Sequence, residues 1–326
     1  MAIGFQFGFT DLRRVRFATS PVFETLLATR ALVDPRALAY VRPWWDAVRG
    51  LPLWTTLTPL LAVQPRVGET PDFLTPPPTS AAPTFADQLA QVRDTPPDLV
   101  AYELGLARAS QADPTAREVV DNLRRDPTRA LDVLCEGLEL AWEHLVSPWW
   151  PRVRDALNAD IAHRSRIIAE HGVGDAVVVH DQMRWDGDRL ELRNHGVKER
   201  VLGGDGLVMV PSAFTWPSVL AVTGRPWQPT LVYPVRGVSE VWTDRPVTAS
   251  TALARLLGRT RARILTALSE PASTTTLAAR LGVAASGTSA HLTALHQAGL
   301  LAKHRHGHEV RYQRTPLGEL LVVRAS

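Results

Sequence analysis

The apolar residues change their spacing along the chain, and that change marks out its elements. Ile3 to Phe9 reads as a short extended start and Asp11 to Phe17 as a first short helix. Ser20-Pro21 opens a longer helix, with Ser20 at the N-cap and Pro21 at the first helical position, where a missing N–H costs nothing. Val22, Phe23, Leu26, Leu27 and Leu32 give that helix an apolar face, and further helices follow to about Leu61. Residues 65–84 hold six prolines, Pro76-Pro77-Pro78 among them, and read as an exposed loop or linker. Phe85 to about Ala169 is helical again, with Pro114, Pro127 and Pro148 near helix starts.

After Gly172 the language changes to strands. Val177-Val178-Val179, Leu190 to Leu192, Leu207 to Pro211 and Thr230 to Val235 are short apolar or alternating runs. Asp186-Gly187 and Gly203-Gly204-Asp205-Gly206 supply turns between them. The expected fold is α+β: a mainly helical first domain, residues 1–248, closed by a small antiparallel sheet, then a second domain, residues 249–326. Val247 to Thr251 reads as the hinge, and no internal repeat is present.

The last segment carries the most specific pattern. Thr260 to Leu268 is a helix with Ile264, Leu265 and Leu268 turned to a core, stopped by Glu270-Pro271. Ser273 or Thr274 caps a second helix, in which Leu277 and Leu281 face inward before Gly282 ends it in a left-handed turn. A third helix runs from about Ser286 to Ala298 and stops at Gly299, with Leu292 and Leu295 inward. Two helices joined by a tight turn, the second polar outside and apolar inside, make a helix-turn-helix. Leu300 to His304 and Val310 to Arg314 then form a hairpin, a wing, with His306-Gly307-His308 at its tip. Small polar residues on the third helix let it enter a major groove about 12 Å wide and meet base edges. The candidate DNA contacts are Thr274 and Thr275 at the start of the second helix and Ser286, Thr288, Ser289, His291, Thr293 and His296 on the third. On the wing they are Lys303, Arg305, His306 and Arg311.

These residues resemble the ArsR-type winged helix regulators. The likeness rests on Thr260 to Leu265, Leu277 to Val283, Ser289 to Leu301 and the wing Arg305-His306-Gly307-His308-Glu309-Val310-Arg311-Tyr312. It implies a homodimer that reads a pseudo-palindromic site in double-stranded DNA and often represses. Members that sense metals or arsenic place cysteines in the second helix or His, Asp and Glu groups along a C-terminal helix. Here the second helix carries Thr274-Thr275-Thr276, and the chain ends soon after Gly318. No metal and no cofactor is therefore expected, and dimerisation is expected to fall to the first domain. Residues 1–248 look like the uncharacterised domain that precedes such a winged helix in some large regulators of high-GC bacteria. That likeness rests on Asp11 to Phe17, Ser20-Pro21, Gly206 to Phe214 and Tyr233 to Gly237.

Charge agrees with this division. Residues 249–326 hold ten lysines and arginines against three acids and include five histidines; residues 1–248 hold 26 basic and 30 acidic residues. Basicity confined to one short segment is what a polyanionic partner requires. The single cysteine, Cys135, lies in an apolar helical stretch and excludes an internal disulfide and a thiolate cluster. No run approaches the ~18 apolar residues of a membrane span, and the start of the chain has no export signal, so a cytoplasmic protein is expected. His304, His306 and His308 alternate as metal ligands on a strand would, but Gly307 breaks the geometry. All ten tryptophans precede residue 249; they read as core anchors or as the lining of a small-molecule effector pocket in the first domain. No nucleophile with its base, no paired carboxylates and no phosphate loop is found. An enzyme is not expected. Two other readings stay open: a winged helix that binds a partner protein, and an enzyme carrying a DNA-targeting domain.

Overall fold

The computed structural model describes residues 2–33, 38–65, 68–193, 198–242, 251–268, 271–306 and 309–325. Its contacts divide the chain into two compact units, Met1–Thr243 and Asp244–Ser326. The expected hinge and the boundary at 248/249 fall almost wholly on residues 243–250, outside the described residues.

In the first unit β1 (Ala2–Gln6), α1 (Phe9–Leu12) and β2 (Arg16–Phe17) precede a run of helices: α2 (Pro21–Val33), α3 (Leu38–Val48), α4 (Trp54–Ala62), α5 (Phe85–Arg93), α6 (Pro97–Ser110), α7 (Pro114–Leu123), α8 (Pro127–Ala141), α9 (Trp150–His171) and α10 (Val173–Val177). Then come β3 (Met183–Asp186), β4 (Arg189–Arg193), β5 (Lys198–Val201), β6 (Val208–Ser212), β7 (Leu220–Val222), β8 (Thr230–Pro234) and α11 (Val238–Val241). The α+β class and the helical bulk are as the sequence predicts. Pro114 and Pro127 each open a helix at its first residue, and Ser20 Oγ accepts the Phe23 N–H at 3.2 Å at the start of α2.

α2 is buried on every side and not along one face. Its threonines satisfy themselves within the helix: Thr25 Oγ1 donates to the Pro21 carbonyl and Thr29 Oγ1 to that of Leu26, both at 2.7 Å. α4, α5 and α8 pack around it, so α2 is the core element a helix apolar all round must be. Cys135 of α8 is buried in that core, and burial pushes its thiol up to about 11.

The sheet expectation needs correction. Among the described residues of the first unit there are two four-stranded sheets, ordered β3-β4-β1-β5 and β2-β6-β8-β7. Both are mixed: β1 runs parallel to β5 and antiparallel to β4, while β2, β6 and β8 run parallel and β7 antiparallel to β8. All five residues of β6 and of β8 are buried, and continuous apolar runs of this kind belong to parallel strands covered on both faces. Val177 ends a short helix and is not in a strand.

Of the stretch from Asp11 to Phe17 only Asp11 and Leu12 are helical, at the end of α1, and Arg16 and Phe17 form a strand. Arg16 N–H donates to the Leu207 carbonyl at 3.0 Å and draws the chain into β2. Asp11 is buried and holds a remote turn: its Oδ1 accepts from Gly204 N–H at 2.8 Å and Gly206 N–H at 3.0 Å, and its Oδ2 accepts from Gly8 N–H at 2.8 Å. Gly206 has φ +70, and a Cβ there would lie 2.5 Å from the Arg14 carbonyl oxygen. The proline-rich loop is likewise not an exposed linker. Phe73 to Pro78 are buried. Arg16 Nη2 donates to the Pro78 carbonyl and, at 2.9 Å, to Gln228 Oε1; Glu103 accepts Phe73 N–H at 2.7 Å and Trp227 Nε1–H at 2.6 Å.

Candidate nucleic-acid interface

The second unit consists of α12 (Thr251–Leu257), α13 (Arg259–Ala267), β9 (Ala272–Ser273), α14 (Thr274–Leu281), α15 (Ala285–Gln297), β10 (Leu301–His306), β11 (Glu309–Arg314) and α16 (Pro316–Ala325). Ile264, Leu277, Leu281, Leu292, Leu295 and Tyr312 share one core. α12 begins at Thr251, the last residue of the expected hinge, and the sequence reading did not name it; α16, with ten residues, packs on α12 and α13.

Local chemistry sets the helix limits. Ser273 Oγ accepts Thr276 N–H at 3.3 Å and caps α14. Gly282, in the left-handed region at φ 65 and ψ 37, ends it. Three residues later α15 begins, and Gly299 at φ +71 follows its end.

α15 is amphipathic in an unusual way, since its outer face is small. Ser286, Ser289, Ala290, Thr293 and Gln297 are exposed at spacings of three and four, while Leu292 and Leu295 are buried. Thr288 lies on the buried face, 1% exposed, and its Oγ1 donates back to the Ala284 carbonyl at 3.0 Å. The expectation that Thr288 meets DNA is therefore withdrawn, and the four-residue step from Thr288 to Leu292 is the sequence signal for it. The same periodicity adds Gln297, which the sequence reading missed. His291 is half-buried, and Thr293 Oγ1 donates to the Ser289 carbonyl at 3.0 Å. His296 is exposed, but its Nδ1 lies 2.8 Å from the Leu301 carbonyl and links the end of α15 to the wing. At the start of α14 Thr275 is exposed and Thr274 half-buried.

The hairpin register sorts the wing. Lys303 pairs with Tyr312, His304 with Arg311 and Arg305 with Val310. Alternation therefore puts Lys303 and Arg305 on one face and His304 and Arg311 on the other. β9 pairs with the return strand, Arg311 opposite Ser273, which fixes the wing to the cap of α14. Lys303 and Arg305 are exposed and Arg311 is half-buried. The side chain of His306, and all of Gly307 and His308, lie outside the described residues. Among the described residues no three His, Cys, Asp or Glu groups come together as a metal site.

Not all the basic residues of this unit face outward. Arg263 Nη2 donates to the Leu281 carbonyl at 2.9 Å and Arg280 Nη1 to the Ala267 carbonyl at 2.8 Å. Each thus satisfies the last residue of a helix, where a cation is favoured. Arg314 pairs with Glu319 at 3.2 Å.

Two packed helices, a glycine turn and a β-wing define the domain. Residues 256–304 match the helix-turn-helix domain family. This match supports a DNA-binding transcription regulator over an enzyme. Residues 79–239 match a family of unknown function (DUF5937), which covers most of the first unit and assigns it no chemistry. No curated protein and no solved structure matches the chain. No described helix is long and apolar enough to cross a membrane.

Proposed function

We propose that this chain is a cytoplasmic transcriptional repressor of the ArsR type that binds a pseudo-palindromic operator as a homodimer. The observation that carries the reading is the outer face of α15. Ser286, Ser289, Ala290 and Thr293 form an exposed stripe with little bulk, and a helix of that cross-section fits the major groove. Ser286 and Ser289 then offer donors and acceptors to bases, with His291, Thr293 and Gln297 beside them. Lys303 and Arg305 on one face of the wing and Arg311 on the other meet phosphates on either side of a groove edge. Thr274 and Thr275 sit at the N-terminus of α14, where backbone N–H groups favour a phosphate. His296 acts indirectly, by holding the wing to α15. The first unit is assigned to signal reception; an effector that binds one state of the dimer better shifts operator affinity by that difference.

We place the dimer contact on the second unit. Leu256 on α12 and Leu317 and Leu320 on α16 are 67%, 53% and 55% exposed, on two helices that pack together. Exposed apolar side chains on two adjoining helices suit an interaction surface.

The test is fluorescence anisotropy with the chain's own upstream DNA and a scrambled duplex, across a salt series. Specific binding is expected, with a log–log salt slope that becomes shallower by about one for each phosphate contact removed in an Arg305→Ala/Arg311→Ala variant. Equal, weak binding to both duplexes would remove the operator reading. Absence of binding to either would favour a winged helix that binds protein.

A further inference from the structure

The end of α8 is irregular. From Trp142 to Val146 the helix widens into a π-turn, followed by a 3-10 turn at Ser147–Trp149 before α9 begins. Single π-turns occur frequently at functional sites, because they turn side chains out of the regular helical register. Here the turn borders an open cavity of about 490 Å³ lined by Phe85, Glu139, Trp142, Glu143 and Ser147.

The aromatic wall of this cavity is pre-set. Phe85 and Trp142 stack with centroids 4.7 Å apart and planes 5° from parallel. Trp150 meets Trp142 edge-on at 5.3 Å. Two carboxylates lie one helical turn apart beside that wall. Like charges at this spacing repel; Glu139 is paired, with Arg93 Nη2 2.9 Å from its Oε1, and among the described residues no cation pairs with Glu143. Glu143 is exposed. An apolar wall with an acidic rim suits a ligand that is flat and apolar at one end and positively charged at the other. Acids also outnumber bases in residues 1–248, 30 to 26, which opposes an anionic ligand.

We propose that the Phe85–Trp142 cavity is a binding site for aromatic organic cations, with the ring of the ligand against Trp142 and its ammonium group beside Glu143. This goes beyond the DNA-binding reading, and its test needs no DNA, so either can fail without the other.

The probe is benzyltrimethylammonium, titrated into the full-length chain by calorimetry and ligand-detected NMR, with benzyl alcohol as the neutral comparison. Glu143→Gln removes the charge at an exposed position, and Ser147→Trp fills the cavity from an exposed position; circular dichroism verifies that both fold. The cation is expected to bind more tightly than the alcohol. Glu143→Gln should weaken the cation about fivefold, the size of a screened ion pair, and leave the alcohol unchanged. Ser147→Trp should abolish both. No binding of the cation, equal affinity for cation and alcohol, or either variant binding the cation as the parent does would overturn the proposal.

Discussion

Glu24 lies in the first turn of α2, fully buried, with its two oxygens 3.2 and 3.1 Å from the Ala213 N–H. Ser212 and Ala213 are the groups that hold the charged form, and they do not offset the loss of water: burial pushes the carboxyl from 4.5 up to about 8. The folded state thus binds this proton more tightly than the unfolded chain. The contribution to stability is fully present below pH 4.5 and is lost as the pH rises through about 8. Urea denaturation followed between pH 5 and pH 9 should show stability falling by a few kcal/mol, on the order expected for a shift of this size. Glu24→Gln, which keeps an acceptor for Ala213 N–H, should flatten that fall. An unchanged slope in the variant would show that another group carries the pH dependence. None of this was legible in the sequence, where Glu24 is one acid in the first turn of a helix, a position acids favour for reasons unconnected with burial. Thr288, by contrast, was legible: its distance from Leu292 already puts it on the inner face of α15.

At the scale of elements, what could be read depended on the range of the interactions. Caps and stops act within four residues, and Ser20-Pro21, Ser273, Gly282 and Gly299 all lie at helix ends as their chemistry requires. Strand partners far apart in the chain left no local trace. β1 pairs with strands beginning at Arg189 and Lys198, and β2 with one beginning at Val208. A seven-residue stretch with helical spacing was therefore read as a helix although Leu207 claims the backbone of Arg16 and Met209 that of Ala18 just beyond it. The proline-rich loop failed for the same reason, since its burial is imposed by Arg16 and Glu103 from other elements. The turn between α14 and α15 tests the local side of this contrast. Gly282 holds φ 65 with nothing within 4 Å of where a Cβ would be, so the cost of Gly282→Ala is conformational and not steric. A loss of about 1 kcal/mol is expected by thermal or urea denaturation. A loss of several kcal/mol would mean that the turn also sets how α15 packs on α14, and operator affinity should then fall with it.

Across the whole molecule, each unit carries its own core. The second unit's core draws on residues from Leu253 to Val322. A winged helix of this size presents one recognition helix, and one helix reads only a few base pairs. Two such helices set one helical turn apart read a palindrome, and their joint affinity exceeds that of either by the effective concentration that linking gives. Dimerisation is thus a requirement of the regulator reading. The sequence reading favoured the first domain for it, because no long helix is read after the wing; the proposal that the second unit carries it rests on the exposure of Leu256, Leu317 and Leu320 on α12 and α16. Leu320→Lys places a charge in that patch at a position already exposed, so the unit should keep its fold and melting temperature. In sedimentation at micromolar concentration the variant is expected to run as a monomer where the parent runs as a dimer. Its operator affinity should fall at least tenfold, while binding to a single half-site stays the same. A variant that remains dimeric and binds the full operator as the parent does would move the dimer contact away from α12 and α16 and back to the first unit.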